Sequence, residues 1–172
     1  MELHAILEHR KKAGYATPSF IKWVNTSAEE DVKKFFINEI RLYNETDSAP
    51  ILAKQINARS TEIRGEAIRT LGKLKYKEIE PKLFEMYNTQ PEDVKQNIIA
   101  AVLELGTGNA VDFLKNAYEE ADNWSTKRSI LKALYGYNEA GRQMFDVLET
   151  QANAHTAILF AHTKDLLINQ IS

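Results

Sequence analysis

Apolar residues recur at helical spacing through most of the chain, and they recur in blocks. Val32, Ile63 and Val94 stand 31 residues apart, each preceded by an acid, Asp31, Glu62 and Asp93. Counting 4, 5, 8 and 11 positions on gives Phe36, Ile37, Ile40 and Tyr43, then Ala67, Ile68, Leu71 and Leu74, then Ile98, Ile99, Val102 and Leu105. A fourth block, one residue late, starts at Thr126 and yields Ile130, Leu131, Leu134 and Tyr137. On a helix turning about 100° per residue, these offsets fall within about 140° of arc, so each block predicts an amphipathic helix with one apolar stripe.

A second set of helices is predicted between them. Ile21, Leu52, Leu83, Leu114 and Phe145 are again 31 apart, and Pro18, Pro50 and Pro81 open three of these segments. A proline there costs nothing, because the first-turn N–H has no helical partner. Ser27 to Glu30 reads as a capping box, Asn44 to Ser48 as a polar turn, and Gly106 to Asn109 as a helix-to-helix turn. The pattern predicts helix pairs at 18–44, 49–76, 79–106, 110–138 and 141–171, with a leading helix at 2–13, and the whole of 1–172 as a single repeat domain. The last pair keeps Phe145 but loses the register in its second helix, where Ala157, Ile158, Leu159 and Ala161 form the apolar run, as a terminal cap would. Alternation at period two is absent over useful lengths, so no strand is expected. Hairpins of this size cannot bury their stripes alone. They must stack on neighbours, which predicts an all-α solenoid of about five hairpins.

The segment Glu62 to Gly72, Glu-Ile-Arg-Gly-Glu-Ala-Ile-Arg-Thr-Leu-Gly, resembles the second helix of HEAT-like repeats, in the short variety also found in phycobilisome lyase-related proteins. The shared features are an acid, an aliphatic residue and Arg, then Ala, a further aliphatic residue and a Leu-Gly ending. Pro91 to Lys95 echoes the start with Lys for Arg, whereas Ser125 and Thr126 depart from the acidic and aliphatic positions. The resemblance runs over about residues 18–150. It implies a right-handed α–α superhelix that acts as a scaffold or binding protein, with the second helices lining a concave surface. It also implies that Lys33, Arg64, Lys95 and Lys127 pair with acids of neighbouring repeats, Asp31, Glu62 and Asp93 being the expected partners. Bilin lyases and DNA-alkylation-repair glycosylases use related repeats, but no catalytic constellation of theirs matches residues here.

Composition narrows the function classes. The 22 Lys and Arg against 24 Asp and Glu leave a net charge of −2, which argues against a general nucleic-acid field. An apolar share of 44% suffices for a core without staples, and the absence of Cys removes thiol chemistry and fits a reducing compartment. No apolar run approaches the roughly 18 residues of a membrane span, and the opening Met-Glu-Leu-His lacks signal-peptide character. A cytoplasmic protein is expected. The thin leading segment, Leu3, Ile6 and Leu7 before Arg10, Lys11 and Lys12, leaves the alternative of a soluble cytoplasmic part of a longer, membrane-anchored protein.

Candidate chemistry is sparse. His155 and His162 are seven apart, where shared metal ligation wants three or four, and His4 and His9 are no better placed. Glu29, Glu30 and Asp31 sit in a first helical turn, where negative charge complements the backbone dipole. The Gly106 turn has no phosphate-loop Lys and no preceding strand. No catalytic residue, metal or cofactor is expected, and the chain reads as non-enzymatic.

The informative positions lie 2, 6 and 9 residues after each start. They are Lys34, Asn38 and Arg41; Gly65, Arg69 and Gly72; Gln96, Ala100 and Leu103; Arg128, Lys132 and Tyr135. Five are basic and none is acidic. Under the HEAT resemblance this stripe faces the groove, which would take an acidic protein segment on Lys34, Arg41, Arg69, Arg128 and Lys132, with apolar contact from Leu103 and Tyr135. A solvated helix face is the plainer reading. A nucleic-acid-binding HEAT-like module and a non-catalytic relative of a lyase are the alternative functions. Trp23 near a first-helix end and Trp124 in a connecting turn are expected to cover repeat junctions.

Overall fold

The computed structural model describes residues 17–168 apart from residue 28, and of residues 17–21 and 168 the backbone alone. The expected leading helix at 2–13, with His4 and His9, lies outside the described residues. Every regular element among them is helical. They fall into two compact units, Met1–Leu105 and Gly106–Ser172.

In the first unit, α1 (Thr17–Thr26) leads into α2 (Glu30–Leu42); α3 (Ala49–Leu52) precedes α4 (Thr61–Lys73); and α5 (Glu80–Met86) precedes α6 (Glu92–Leu105). The helix α1 packs on α2, α2 on α4 and α4 on α6, so the second helices stand in a row. The apolar stripe behaves as the 31-residue count predicts. Ile37, Ile40, Ile63, Ile68, Leu71, Ile98 and Val102 are all buried, as are Leu52 and Leu83 from the first helices. Each such side chain stabilises the fold by roughly 1.5–3 kcal/mol.

Two features sharpen the sequence picture. The first segments of the second and third pairs are short α-turns carrying a proline at their start, α3 continuing as a 3-10 turn over Ala53–Asn57 and α5 over Tyr87–Thr89. The 3-10 winding rises further per residue than the α-helix, so a short segment runs alongside much of a longer second helix. The second helices of the first three pairs also stop alike. Asn44 (φ 52°), Lys75 (φ 57°) and Gly106 (φ 65°), 31 residues apart, all adopt the left-handed conformation. Glu45 N–H returns to Ile40 and Tyr76 N–H to Leu71, closing Schellman-type ends that satisfy orphan carbonyls.

The predicted capping box at Ser27 is not formed. Ser27 Oγ accepts instead from Glu29 N–H, two residues on, and Glu29 is the residue that precedes α2. True caps occur elsewhere: Ser60, Asn123 and Asn138 accept from the backbone N–H of Ile63, Thr126 and Gly141.

The second unit holds α7 (Ala110–Glu120), α8 (Trp124–Tyr137), α9 (Glu139–Thr150) and α10 (Ala154–Ile168). At its centre α8 packs against the other three. Its core gathers on Phe145, whose ring meets Tyr135 and Phe160 edge-on, each at 5.0 Å. In α10 the expected apolar run is corrected. Leu159 is buried, but Ala157, Ile158 and Ala161 are exposed, and Phe160 and Thr163 carry the inward face. Counted from His155, Leu159, Phe160, Thr163 and Leu166 take the 4, 5, 8 and 11 positions, so the repeat is shortened rather than lost.

Candidate functional site

The stripe at offsets 2, 6 and 9 is not uniformly open. In the first unit Lys34 Nζ lies 2.8 Å from Glu62 Oε1 on the next second helix and 3.0 Å from Asp31 Oδ1. The hydrogen bonds to Glu62 and then to Asp31 hold its ammonium well above the usual lysine range. Arg41 Nη1 lies 2.8 Å from Glu66 Oε2, and its Nη2 donates to Asn38 Oδ1. Together these groups line a cleft of about 320 Å³ along the α2–α4 seam with Phe35 at its side. Both cations are therefore neutralised by acids of the following repeat.

Gly65 and Gly72, from the same stripe, are buried between α4 and α6. A Cβ on Gly72 would stand 2.6 Å from Ala101 Cα, and one on Gly65 would stand 2.7 Å from Asn97 Nδ2. Offsets 2 and 9 in this repeat thus face the next second helix. Arg69, at offset 6, is exposed, and Leu103 is half-buried. Arg69 has no ion pair among the described residues.

In the second unit Arg128, Lys132 and Tyr135 follow one another at helical spacing along α8. Arg128 is exposed and Lys132 half-buried, and neither has an ion pair among the described residues. Tyr135 is half-buried, held edge-on by Phe145 at 5.0 Å.

The basic residues one step after each start behave differently from expectation. Arg64 donates to the carbonyls of Ala58 and Arg59 and to Gln90 Oε1; Lys127 donates to the Tyr118 carbonyl and covers its ring at 4.5 Å; Lys95 stands 5.3 Å over the Tyr87 ring. Arg64, Lys95 and Lys127 thus hold carbonyls, an amide and rings of the segments that precede second helices, with no ion pair to a neighbouring acid among the described residues. Inter-repeat ion pairs exist, but Lys34 and Arg41 supply the cations, and Lys73 and Lys75 do so towards Glu104. Glu62 was visible in sequence as a repeated acid; its partner was not, because the stacking register decides which cation faces it.

Of the remaining candidates, Trp124 meets His155 ring to ring at 4.6 Å and lines a cleft with His162. His155 and His162 are both exposed, and among the described residues no three His, Cys, Asp or Glu side chains converge as a metal would require. Glu29 to Asp31 sit at the N-terminal end of α2. Trp23 stacks on Phe36, with centroids 5.9 Å apart, whereas Trp124 is the first residue of α8, not part of a connecting turn. No described helix is long and apolar enough to cross a membrane.

The row of second helices meeting along one face, as α2, α4 and α6 do, is the arrangement of helical-repeat proteins. The sequence pattern of HEAT repeats matches residues 17–101 and again 49–135, well over half of the chain. The protein belongs to the HEAT repeat family. No curated protein matches it.

Proposed function

We propose that this HEAT repeat protein is a non-enzymatic interaction module whose second-helix faces take an acidic segment of a partner protein. The observation that carries the reading is a contrast in charge pairing. Lys34 and Arg41 are held by Glu62 and Glu66, while Arg69 on α4 and Arg128 and Lys132 on α8 have no ion pair among the described residues. In the first unit Arg69, and in the second Arg128 and Lys132, are the cations that a partner's carboxylates would meet, with Leu103 and Tyr135 as apolar contacts each within its own unit. A preformed helical surface loses little conformational entropy on binding, which favours contact of this kind. The cysteine-free chain fits work in a reducing compartment such as the cytoplasm.

The test is affinity capture with mass spectrometry at low and high salt, using the native protein and the double variant Arg69→Glu with Lys132→Glu. Partners that are retained by the native protein and lost by the variant support the reading. Identical partner sets from both reject it. Capture of nucleic acid whose affinity falls steeply with salt, through counterion release, would favour the nucleic-acid reading instead.

A further inference from the structure

The second unit carries a cavity unlike the α2–α4 cleft. It is an open cleft of about 310 Å³ between the first turns of α8 and the middle of α10, lined by Trp124, Ser125, Arg128, Ile158, Leu159 and His162. That volume is at the low end of the roughly 300–1,000 Å³ of ligand sites, so it accepts a side chain or two and not a folded surface. Leu159 forms a buried floor, and the walls are the two large apolar residues of this unit that remain well exposed beside it, Trp124 at 41% and Ile158 at 60%. Single exposed apolar residues are ordinary, but two converging on one cavity mark a contact site. His155 meets the indole edge-on at 4.6 Å. Trp is among the side chains that most often anchor interfaces.

Charge sets the orientation of what fits. Arg128 and His162 are on the rim, no Asp or Glu lines the cavity, and the Arg128 guanidinium has no ion pair among the described residues. The α2–α4 cleft of similar size differs on this point, since Asp31, Glu62 and Glu66 line it beside Lys34 and Arg41. One cavity is self-neutralised; the other has an open demand for an anion.

We infer that this cavity is an anchor site for a protein segment that inserts an aliphatic or aromatic side chain between Trp124 and Ile158 and places an Asp or Glu, about one helical turn away, on Arg128. The carboxylate would accept the paired N–H bonds that a guanidinium offers. The inference rests on the reading of the second-helix faces as interaction surfaces and narrows it to an apolar anchor with an adjacent acid.

A display library of random twelve-residue peptides, selected on the immobilised full chain, is a direct probe. Enriched peptides are expected to pair an apolar residue with an acid one to four positions away. They should bind Arg128→Glu and Ile158→Asp at least tenfold more weakly than the native chain, with both variants keeping native far-ultraviolet circular dichroism. The conservative Ile158→Leu should retain binding, which guards against loss by misfolding. Acidic peptides that lack an apolar anchor, are insensitive to Ile158→Asp and are weakened by Arg69→Glu would overturn the anchor site and leave the broader reading standing. No enrichment over bare matrix would overturn both. An Ile158-dependent dimer in sedimentation, or tighter binding of a single-stranded oligonucleotide than of any selected peptide, would also overturn the inference, because the occupant would then be a second copy or a nucleic acid.

Discussion

Arg41 and Glu66 form an ion pair across two repeats, Nη1 to Oε2 at 2.8 Å, with the Arg41 side chain 21% and the Glu66 side chain 31% exposed. The Lys34 to Glu62 pair repeats the arrangement, its cation about two turns earlier on α2 and its acid about one turn earlier on α4. These pairs hold two of the five stripe cations out of play. Replacing Glu62 and Glu66 together by Gln should free both cations and strengthen capture of an acidic partner severalfold, read by equilibrium titration. The stability change should be small by urea denaturation, because solvent-screened ion pairs contribute little to folding. An unchanged affinity would mean that the partner avoids this seam, and a weaker complex that it contacts the two carboxylates themselves.

The contact of α4 with α6 offers a contrast between two glycines. Gly72→Ala would drive a Cβ into backbone, 2.6 Å from Ala101 Cα, and should cost about 1–3 kcal/mol. Gly65→Ala meets the end of the Asn97 side chain, which can swing away, and the gain in helix propensity of about 1 kcal/mol should leave stability unchanged or raised. Thermal melting of the two variants decides this. Equal losses would show that the α4–α6 approach is not set by Gly72.

The same helix separates core from surface. Ile99 is 4% exposed and Ala100 beside it is open. Ile99→Asp should unfold the first unit or cost more than about 3 kcal/mol, since a carboxylate would lose water without gaining a partner. Ala100→Asp should lie within about 0.5 kcal/mol of the native protein. Circular dichroism with urea titration measures both.

Glu104 provides a pH signature. Hydrogen bonding to Lys73, opposed by burial and aided by Lys75, holds its carboxyl below the usual glutamate range. A folded-state pKa below the unfolded one means stability that is present above the unfolded value and is lost as pH falls through the folded one. Glu104→Gln should therefore lower stability near neutral pH by up to about 1 kcal/mol, limited by solvent screening of a side chain 34% exposed. The difference should vanish in acid, below the folded value. Urea midpoints for the pair across pH 2 to 7 check the sign; a constant difference would exclude an ionic origin.

Most of the fold was legible because burial in a helical repeat follows spacing alone. Ile63, Ile68 and Leu71 could be placed inward from their offsets, and Leu52, Leu83, Leu114 and Phe145 from the second 31-residue count. The pairing of charges was not legible. Lys34 and Arg41 look free along one helix, and Glu62 and Glu66 become their partners when the next repeat docks in a particular register. Arg64 and Lys127 reach backbone carbonyls, which carry no signature in sequence. In the last repeat the spacing is shortened, so a 31-residue count from Ile130 and Leu131 passes over the inward face, which Phe160 and Thr163 carry.

The proposed mode of partner contact runs through the second helices. Amide hydrogen exchange of the full chain, alone and with a captured partner, measures this most directly. Added protection confined to the second helices, strongest around Arg69 in α4 and around Arg128 and Lys132 in α8, is the predicted result. Protection on the first helices, around α5, α7 and α9, with α4 and α8 unchanged, would contradict it.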